Sequence, residues 1–418
     1  MHKKMRECVL VWVSVALAAG CDVEQTGEPT GGVDVERREG CPAGVVTLLS
    51  DFVSTQVALS ALDGTTLSES FLSTASTEAS GVSFALSGDV ALPSGVPPSG
   101  RVVLLDRFGT NVLTWADPAT GEVLAQLAVG TGFESNPQDY IELDGERAYV
   151  SRWGQNGDSG REPFDGGGDL LIVDTAQIAI VGRIELPGEG ALPPRPAGMA
   201  HVGQDIAVTL QRLALDFATA GESVLVGVSP QVDEIVWEHR LSGLTGCGGP
   251  TPDPSGARFA VACAGTLDPD GNLTDISESG IVLFDATATP PRELRRFSAE
   301  ELAGEAVQGS VRFIDEGGLL FKTQTPLGGT THNRVLWLDV TSGAVTELSQ
   351  ARPAADGTGR GVTYGGLFCA PGCSDVCLVA DADRGVLQRW RVDESLEPME
   401  PVRVETQVGL PPRSLGGF

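Results

Sequence analysis

A short apolar segment of β-forming residues recurs seven times along this sequence, and this recurrence limits the fold more than any other feature. Each copy precedes a loop, a second apolar run and a turn such as residues 117–121, where Asp and Gly suit a tight turn. The copies are 55, 45, 58, 53, 60 and 58 residues apart, counted at Ser50, Leu105, Val150, Val208, Val261, Phe321 and Val379. The 54 glycines and 26 prolines are spread through the chain, which favours short strands over helices.

Four short antiparallel strands in a unit of this length are typical of a β-propeller blade. The sequence therefore predicts an all-β fold, a seven-bladed β-propeller with four-stranded antiparallel blades over residues 41–418. The pattern of strand, Asp-x-x-x-Gly turn and strand resembles the lactonase-like and quinoprotein-like propellers of bacterial periplasms, which carry YVTN-type repeats. That resemblance implies a fold and no single activity. Two tandem β-sandwiches are the alternative, which the even spacing disfavours.

The two ends of the repeat region predict how the ring closes. Residues 44–46 match the second strand of a blade, and residues 412–416 match the first strand. We therefore expect the C-terminal strand to complete the N-terminal blade. This arrangement leaves no free sheet edge at the junction.

The first 21 residues have the features of an export signal. Basic residues precede a largely apolar run at 9–19, which is too short to span a bilayer. The run leads to Leu-Ala-Ala-Gly-Cys at 17–21, which resembles the lipobox of bacterial lipoproteins. The resemblance implies a signal peptide over 1–20, a lipid on Cys21, a flexible acidic tether over 21–40, and a place in the cell envelope on the inner or outer membrane. An ordinary secretory signal is the alternative.

Six cysteines follow Cys21, an even number that indicates disulfides in an exported protein. Their number alone leaves 15 connectivities open. The propeller interpretation narrows these, because two pairs bracket predicted hairpins and the third joins the first blade to the last: Cys247 with Cys263, Cys369 with Cys377, and Cys41 with Cys373. A metal cluster at 369, 373 and 377 is the alternative, disfavoured by the spacing and by the lack of an adjacent His.

A net charge of −28 restricts the partners of this chain. Such a protein repels the phosphate backbone, which excludes nucleic acid as the default partner. It also repels an anionic membrane surface, so the N-terminal lipid is the one membrane contact that we expect. We expect a monomer.

Motifs for known chemistries are scarce in this sequence. It has no phosphate-binding Gly-x-x-x-x-Gly-Lys loop and no Gly-x-Ser-x-Gly nucleophile elbow, and we expect no cofactor. One cluster of oxygen-bearing side chains suits Ca²⁺, and it comprises Asp268, Asp270, Asn272 and Asp275. A turn between two strands is the alternative interpretation of that cluster.

Four connectors between the second and third strands of a blade are enlarged, at 152–168, 210–222, 264–280 and 323–333. In a propeller these connectors lie on one face, and long loops on a rigid scaffold are where binding sites concentrate. The candidate ligand residues on this long-loop face are Trp153, Asp158, Phe164, Asp165 and Phe217. The alternative interpretation is that these side chains are exposed to solvent and bind nothing.

The features together favour a binding protein over an enzyme. The leading hypothesis is a lipid-anchored propeller of the cell envelope whose long-loop face binds a protein, peptide or glycan. The alternative is a hydrolase or lactonase-like enzyme with a site at the central channel, with or without a metal. A quinoprotein-like redox protein is a third hypothesis, which a cofactor absorbance would reveal.

Overall fold

The computed structural model describes residues 33, 38–143, 146–215, 219–266, 274–324, 333–350, 364–392, 396–404 and 409–418. These residues form seven four-stranded antiparallel sheets with almost no helix, arranged as a β-propeller. The predicted fold class is confirmed. The two short helical turns are Ile276–Glu278 and Ala299–Leu302.

Each sheet is one blade, and its strands are given from the axis outward. Blade 1 comprises β28 (Pro412–Gly417), β1 (Val45–Ser50), β2 (Thr55–Ser60) and β3 (Thr66–Ser73). Blade 2 comprises β4 (Val90–Ala91), β5 (Val102–Asp106), β6 (Val112–Ala116) and β7 (Val123–Ala128). Blade 3 comprises β8 (Pro137–Glu142), β9 (Arg147–Gln155), β10 (Gly167–Asp174) and β11 (Ala179–Glu185). Blade 4 comprises β12 (Pro196–Val202), β13 (Asp205–Leu210), β14 (Val224–Ser229) and β15 (Glu234–Arg240).

The remaining blades follow the same order. Blade 5 comprises β16 (Thr251–Pro252), β17 (Arg258–Cys263), β18 (Gly280–Asp285) and β19 (Arg292–Ser298). Blade 6 comprises β20 (Ala306–Phe313), β21 (Gly318–Gln324), β22 (Arg334–Asp339) and β23 (Val345–Gln350). Blade 7 comprises β24 (Tyr364–Phe368), β25 (Val376–Asp381), β26 (Val386–Arg391) and β27 (Glu397–Arg403).

The hydrophobic core lies between the blades. Each contact between neighbouring blades contains its own cluster of buried apolar side chains, including the contact between blades 7 and 1. Middle strands such as β2 and β14 are buried along their whole length, whereas the outermost strands β15 and β27 are largely exposed. Burial on both faces explains why the middle strands are continuous apolar runs in the sequence.

The ring closes through the two ends of the described chain. Strand β28 pairs antiparallel with β1, with Val45 opposite Gly417 and Thr47 opposite Leu415. Phe418 is buried beside this junction, in the cluster between blades 1 and 2. The expected completion of the N-terminal blade by the C-terminal strand is confirmed.

Three disulfides reinforce the ring, and they join the residues paired above from the sequence: Cys41 with Cys373, Cys247 with Cys263, and Cys369 with Cys377. The first links the entry of blade 1 to the inner hairpin of blade 7. Disulfides of this kind indicate an oxidising, exported compartment. Among the described residues, no helix has the length and apolarity needed to cross a membrane.

Strand direction gives the ring two different faces. In blades 2 to 7 the innermost strand runs towards the hairpin that links it to the second strand. This end of the ring, the hairpin face, also carries the turns between the third and fourth strands. The connectors between the second and third strands lie at the other end, which is the long-loop face.

Candidate functional site

The axial channel contains a cavity of about 390 Å³ at the hairpin face. All seven blades contribute to its wall through the ends of their innermost strands and the residues that follow them. Seven prolines and two phenylalanines, Phe313 and Phe368, make much of that wall apolar. The polar side chains in the wall are those of Ser94, Tyr140, Glu142, His201, Thr251 and Arg312. An apolar pocket of this size with few polar groups is typical of a small-molecule site.

Residues 92–98, which we name the axial segment, replace most of an inner strand in blade 2. Strand β4 ends after two residues, Val90–Ala91. The segment contains Pro93, Pro97 and Pro98, and proline has no N–H to donate to a ladder. The chain therefore leaves the sheet at this point and enters the channel.

The axial segment makes contacts on two sides of the channel. Ser94 Oγ donates to the carbonyl oxygen of Met199 in blade 4 at 2.9 Å. A Cβ placed on Gly417 of blade 1 would lie 2.6 Å from Val96 Cγ2, so glycine is what allows Val96 to pack there. The segment thus reaches from blade 1 to blade 4, and its residues 94–98 line the cavity.

Asp139 holds the axial segment in place. Its carboxylate accepts hydrogen bonds from Ser94 N at 2.8 Å, Ser94 Oγ at 2.5 Å, Met199 N at 2.6 Å and Tyr140 N at 2.8 Å. Asp139 is 1% exposed, and burial raises the pKa of its carboxyl to about 6 against the opposing effect of these bonds. One carboxylate therefore ties blades 2, 3 and 4 together near the axis.

Tyr140 and Glu142 form a second polar group in the wall. Trp115 Nε1 donates to Tyr140 Oη at 3.1 Å, and Tyr140 Oη donates to Glu142 Oε1 at 3.1 Å. Ser99 donates to the same carboxylate from its backbone N at 2.9 Å and its Oγ at 2.8 Å. Burial and the Glu142 charge raise the pKa of Tyr140, which keeps its hydroxyl protonated. His201 Nε2 lies 2.9 Å from the Glu142 carbonyl oxygen and donates to it in the Nε2-protonated tautomer.

Two cationic side chains of blade 6 lie near the axis. Arg312 lines the cavity, and its Nη1 donates to the preceding carbonyl oxygen at 2.9 Å. Burial lowers the pKa of Arg312, while the charge of Asp139 acts in the opposite direction. Lys322 is 5% exposed, and its Nζ donates to the carbonyl oxygens of Tyr364, at 3.3 Å, and Gly365. Burial and the neighbouring Arg312 lower the pKa of Lys322 to about 7.

Trp153, one of the residues predicted to bind a ligand, lies on the long-loop face, at the opposite end of the ring from the cavity. It is partly buried, and its Nε1 donates to Gln211 Oε1 at 3.0 Å. The guanidinium of Arg195 lies 3.8 Å above the centre of its ring. Trp153 therefore packs within the ring at the base of the loops.

Three of the other predicted residues of this face lie in the connector between β9 and β10. Asp158 is exposed and pairs with Arg161, and Phe164 packs partly buried between blades 2 and 3. Asp165 is 6% exposed and accepts backbone N–H bonds from three residues of its own loop, which lowers its pKa. Phe217 lies outside the described residues.

Three of the four predicted Ca²⁺ ligands, Asp268, Asp270 and Asn272, lie outside the described residues. Asp275 caps the helical turn Ile276–Glu278, accepting from Ser277 N at 2.8 Å, and this bond lowers its pKa. In the described part of the chain, no three His, Cys, Asp or Glu side chains form a group that could hold a metal ion. Calcium at this loop stays a prediction.

Sequence reasoning did not find the residues that line the cavity. Asp139 and Arg312 are far apart in the chain, and only closure of the ring brings both to the axis. A signal for the axial segment was present, however. Prolines 93, 97 and 98 occur where the second repeat should have its first strand, and three prolines so close together remove three N–H donors from that strand.

No protein-family model and no curated protein matches this sequence. Among solved structures, the periplasmic gluconolactonase of Pseudomonas aeruginosa has a TM-score of 0.56 at 14% identity, over 89% of this chain and 98% of its own. A putative 6-phosphogluconolactonase from Bacteroides fragilis has a TM-score of 0.53 at 12% identity, over 90% of this chain and 98% of its own. Hydrazine synthase of Kuenenia stuttgartiensis has a TM-score of 0.51 at 15% identity, over 75% of this chain and 87% of its own. At these identities the likeness shows the β-propeller fold alone.

Proposed function

We propose that this chain is an exported binding protein that takes a small molecule into the axial cavity. The observation that carries the proposal is the cavity itself, because its volume of about 390 Å³ and its apolar wall with few polar groups suit a small organic ligand. The rim is rigid, since two of its residues, Cys369 and Cys373, are disulfide-bonded. A preformed, rigid site lowers the entropic cost of binding.

The proposal includes a lipid on Cys21 and a tether over residues 21–40. Its support is the lipobox-like sequence together with three disulfides that suit an oxidising compartment. Gly40 and Pro42 lie at the cavity rim, so the tether would leave the ring on the hairpin face. A C21A variant should move from the membrane fraction to the soluble fraction on fractionation of cells. An unchanged distribution would contradict the anchor.

Glycine substitutions separate the cavity from the long-loop face as the binding site. Gly95 lines the cavity and Gly157 lies in the β9–β10 connector, and a Cβ at either position meets no atom within 4 Å. Neither has a positive φ, so Met is accepted at both without backbone strain. G95M fills part of the cavity, whereas G157M alters the long-loop face next to Asp158. The two variants are therefore a matched pair.

The experiment screens aromatic and aliphatic acids, their amides and the corresponding lactones by ligand-observed NMR, and measures hits by calorimetry. We expect hits whose affinity falls at least tenfold in G95M and is unchanged in G157M. Loss in G157M with retention in G95M would place the site on the long-loop face. A panel without hits would also contradict the proposal.

Hydrolysis of a lactone in the same cavity is the second candidate. Its support is the pair of Glu142 and His201 at the cavity wall, since carboxylate and imidazole are the groups that serve as general acids and bases. Release of acid from glucono-1,5-lactone, followed in a pH-stat, tests it. Hydrolysis above the background rate that is lost in E142Q would favour the enzyme, and a rate equal to background would favour binding alone.

A further inference from the structure

The guanidinium of Arg312 lies in the cavity wall and uses little of its hydrogen-bonding capacity among the described residues. A guanidinium has five N–H donors, and the single hydrogen bond of this side chain within the described residues is the one from Nη1 to the Val311 carbonyl oxygen. No carboxylate in that part of the chain lies within ion-pair distance of it. By contrast, the buried Arg152 is paired with Asp169 at 2.7 Å. The free donors of Arg312 are therefore available to a ligand.

The charges around Arg312 also favour an anion. The charge of Asp139 influences the Arg312 guanidinium, but the two side chains do not form an ion pair. The carboxylate of Asp139 already accepts four hydrogen bonds from other groups. Lys322, the only lysine after residue 4, lies in the same blade and adds positive charge as the pH falls through its pKa of about 7. The wall also contains the carboxylate of Glu142, but its oxygens already accept hydrogen bonds from Tyr140 Oη and from the backbone N and Oγ of Ser99. A partly buried charge without a partner is costly, and a bound anion would offset that cost.

The rest of the cavity wall is mostly apolar, which indicates the chemistry of the part of the ligand that does not contact Arg312. Phe313 and Phe368 are 3% and 5% exposed and line the cavity together with seven prolines. These groups offer contact area but no side-chain hydrogen bonds. A ligand that fills the cavity therefore needs an apolar body next to its charged group.

We propose that the axial cavity binds an organic carboxylate, with the carboxylate on the Arg312 guanidinium and the apolar body against Phe313 and Phe368. This inference rests on the proposed function, because it names the ligand class of the same cavity. A planar guanidinium matches a carboxylate through two parallel N–H···O bonds, which gives orientation as well as affinity. Lys322 does not contact the ligand in this arrangement and contributes through its charge.

Two probes of the same shape test the inference, 4-phenylbutanoate and its neutral amide, 4-phenylbutanamide. Calorimetric titration of the full chain should give at least tenfold tighter binding of the carboxylate, because only the carboxylate forms charge-assisted hydrogen bonds with the guanidinium. R312Q should bring the two affinities to within about twofold. R292Q, on the exposed outer strand of blade 5, is the control and should keep the preference.

The outcomes separate this inference from the proposed function. Equal binding of both probes to the wild type would keep the cavity as the site and overturn the carboxylate assignment. A preference that survives in R312Q would also overturn it, and so would inorganic phosphate or sulfate that competes as well as the carboxylate. If neither probe binds while other compounds of the panel bind in a G95M-sensitive manner, the carboxylate assignment fails and the proposed function stands. R312K retains the positive charge but lacks the planar guanidinium, so it should keep a reduced preference for the carboxylate over the amide. This variant keeps the inference testable if R312Q does not fold.

Discussion

The disulfide between Cys41 and Cys373 should stabilise the protein far more than the one between Cys369 and Cys377. Both bonds end in the inner hairpin of blade 7, but they close loops of very different length, with sequence separations of 332 and 8 residues. A crosslink restricts the unfolded chain more when its loop is longer. By the chain-entropy relation, the two bonds contribute about 6 and about 2.6 kcal/mol, a difference of about 3 kcal/mol.

The comparison uses the double variants C41A/C373A and C369A/C377A. Urea unfolding, followed by circular dichroism and by tryptophan fluorescence, gives the free energy of unfolding when the two probes coincide. The folded ring should persist in C41A/C373A, because β28 still pairs with β1 and the cluster between blades 7 and 1 stays intact. We expect this variant to be the less stable by about 3 kcal/mol. Equal free energies of unfolding for the two double variants would show that loop length in the unfolded chain does not determine what each disulfide contributes.

Three further predictions follow from buried groups. Asp169→Asn should lower the free energy of unfolding by about 3–5 kcal/mol in urea, because it leaves the buried Arg152 charge without its partner. Asp139 has a pKa of about 6 in the folded state against 3.8 as its ordinary value, so its contribution to stability is fully present below pH 4 and is lost as the pH rises through 6. The gap between wild type and D139N should accordingly shrink by about 2 kcal/mol from pH 4 to pH 7. Gly227→Ala should lower the melting temperature, since its Cβ would lie 1.9 Å from Trp237 Cε2, and overpacking of this kind costs about 1–3 kcal/mol.

Matched controls accompany these variants. Asp158→Asn removes an exposed ion pair and should change stability by less than about 1 kcal/mol. Gly157→Ala adds a methyl group in open space and should leave the melting temperature unchanged. A constant gap between D139N and wild type across this pH range would show that Asp139 does not titrate as its burial implies.

The fold was predictable because the repeat is visible in the sequence. Seven apolar segments at similar spacing fix the number of blades, and residues 412–416 fix the closing strand. The apolar segments are visible in the sequence because each blade buries its middle strands on both faces, which requires a continuous apolar run in every repeat. The disulfide pairs followed from the same repeat.

The cavity was not predictable from local signals. Loop length predicted a site at residues such as Asp158 and Asp165. Arg312 and Asp139, by contrast, are single charged residues in inner strands, and no motif surrounds them in the sequence. Their significance depends on burial and on neighbours from other blades, which the sequence does not display. The prolines of the axial segment were the one readable sign that a strand had been replaced.

The axial segment shapes one side of the cavity without taking part in the strand pairing that holds the ring together. Residues 92–98 lie outside the strand pairing, and Ser94 is their anchor to Asp139. A change in length or composition at residues 95–98 therefore removes no hydrogen bond from any sheet. The segment behaves as an exchangeable insert, and a protein engineer could vary the ligand preference of this propeller by replacing a few residues while all seven blades stay as they are.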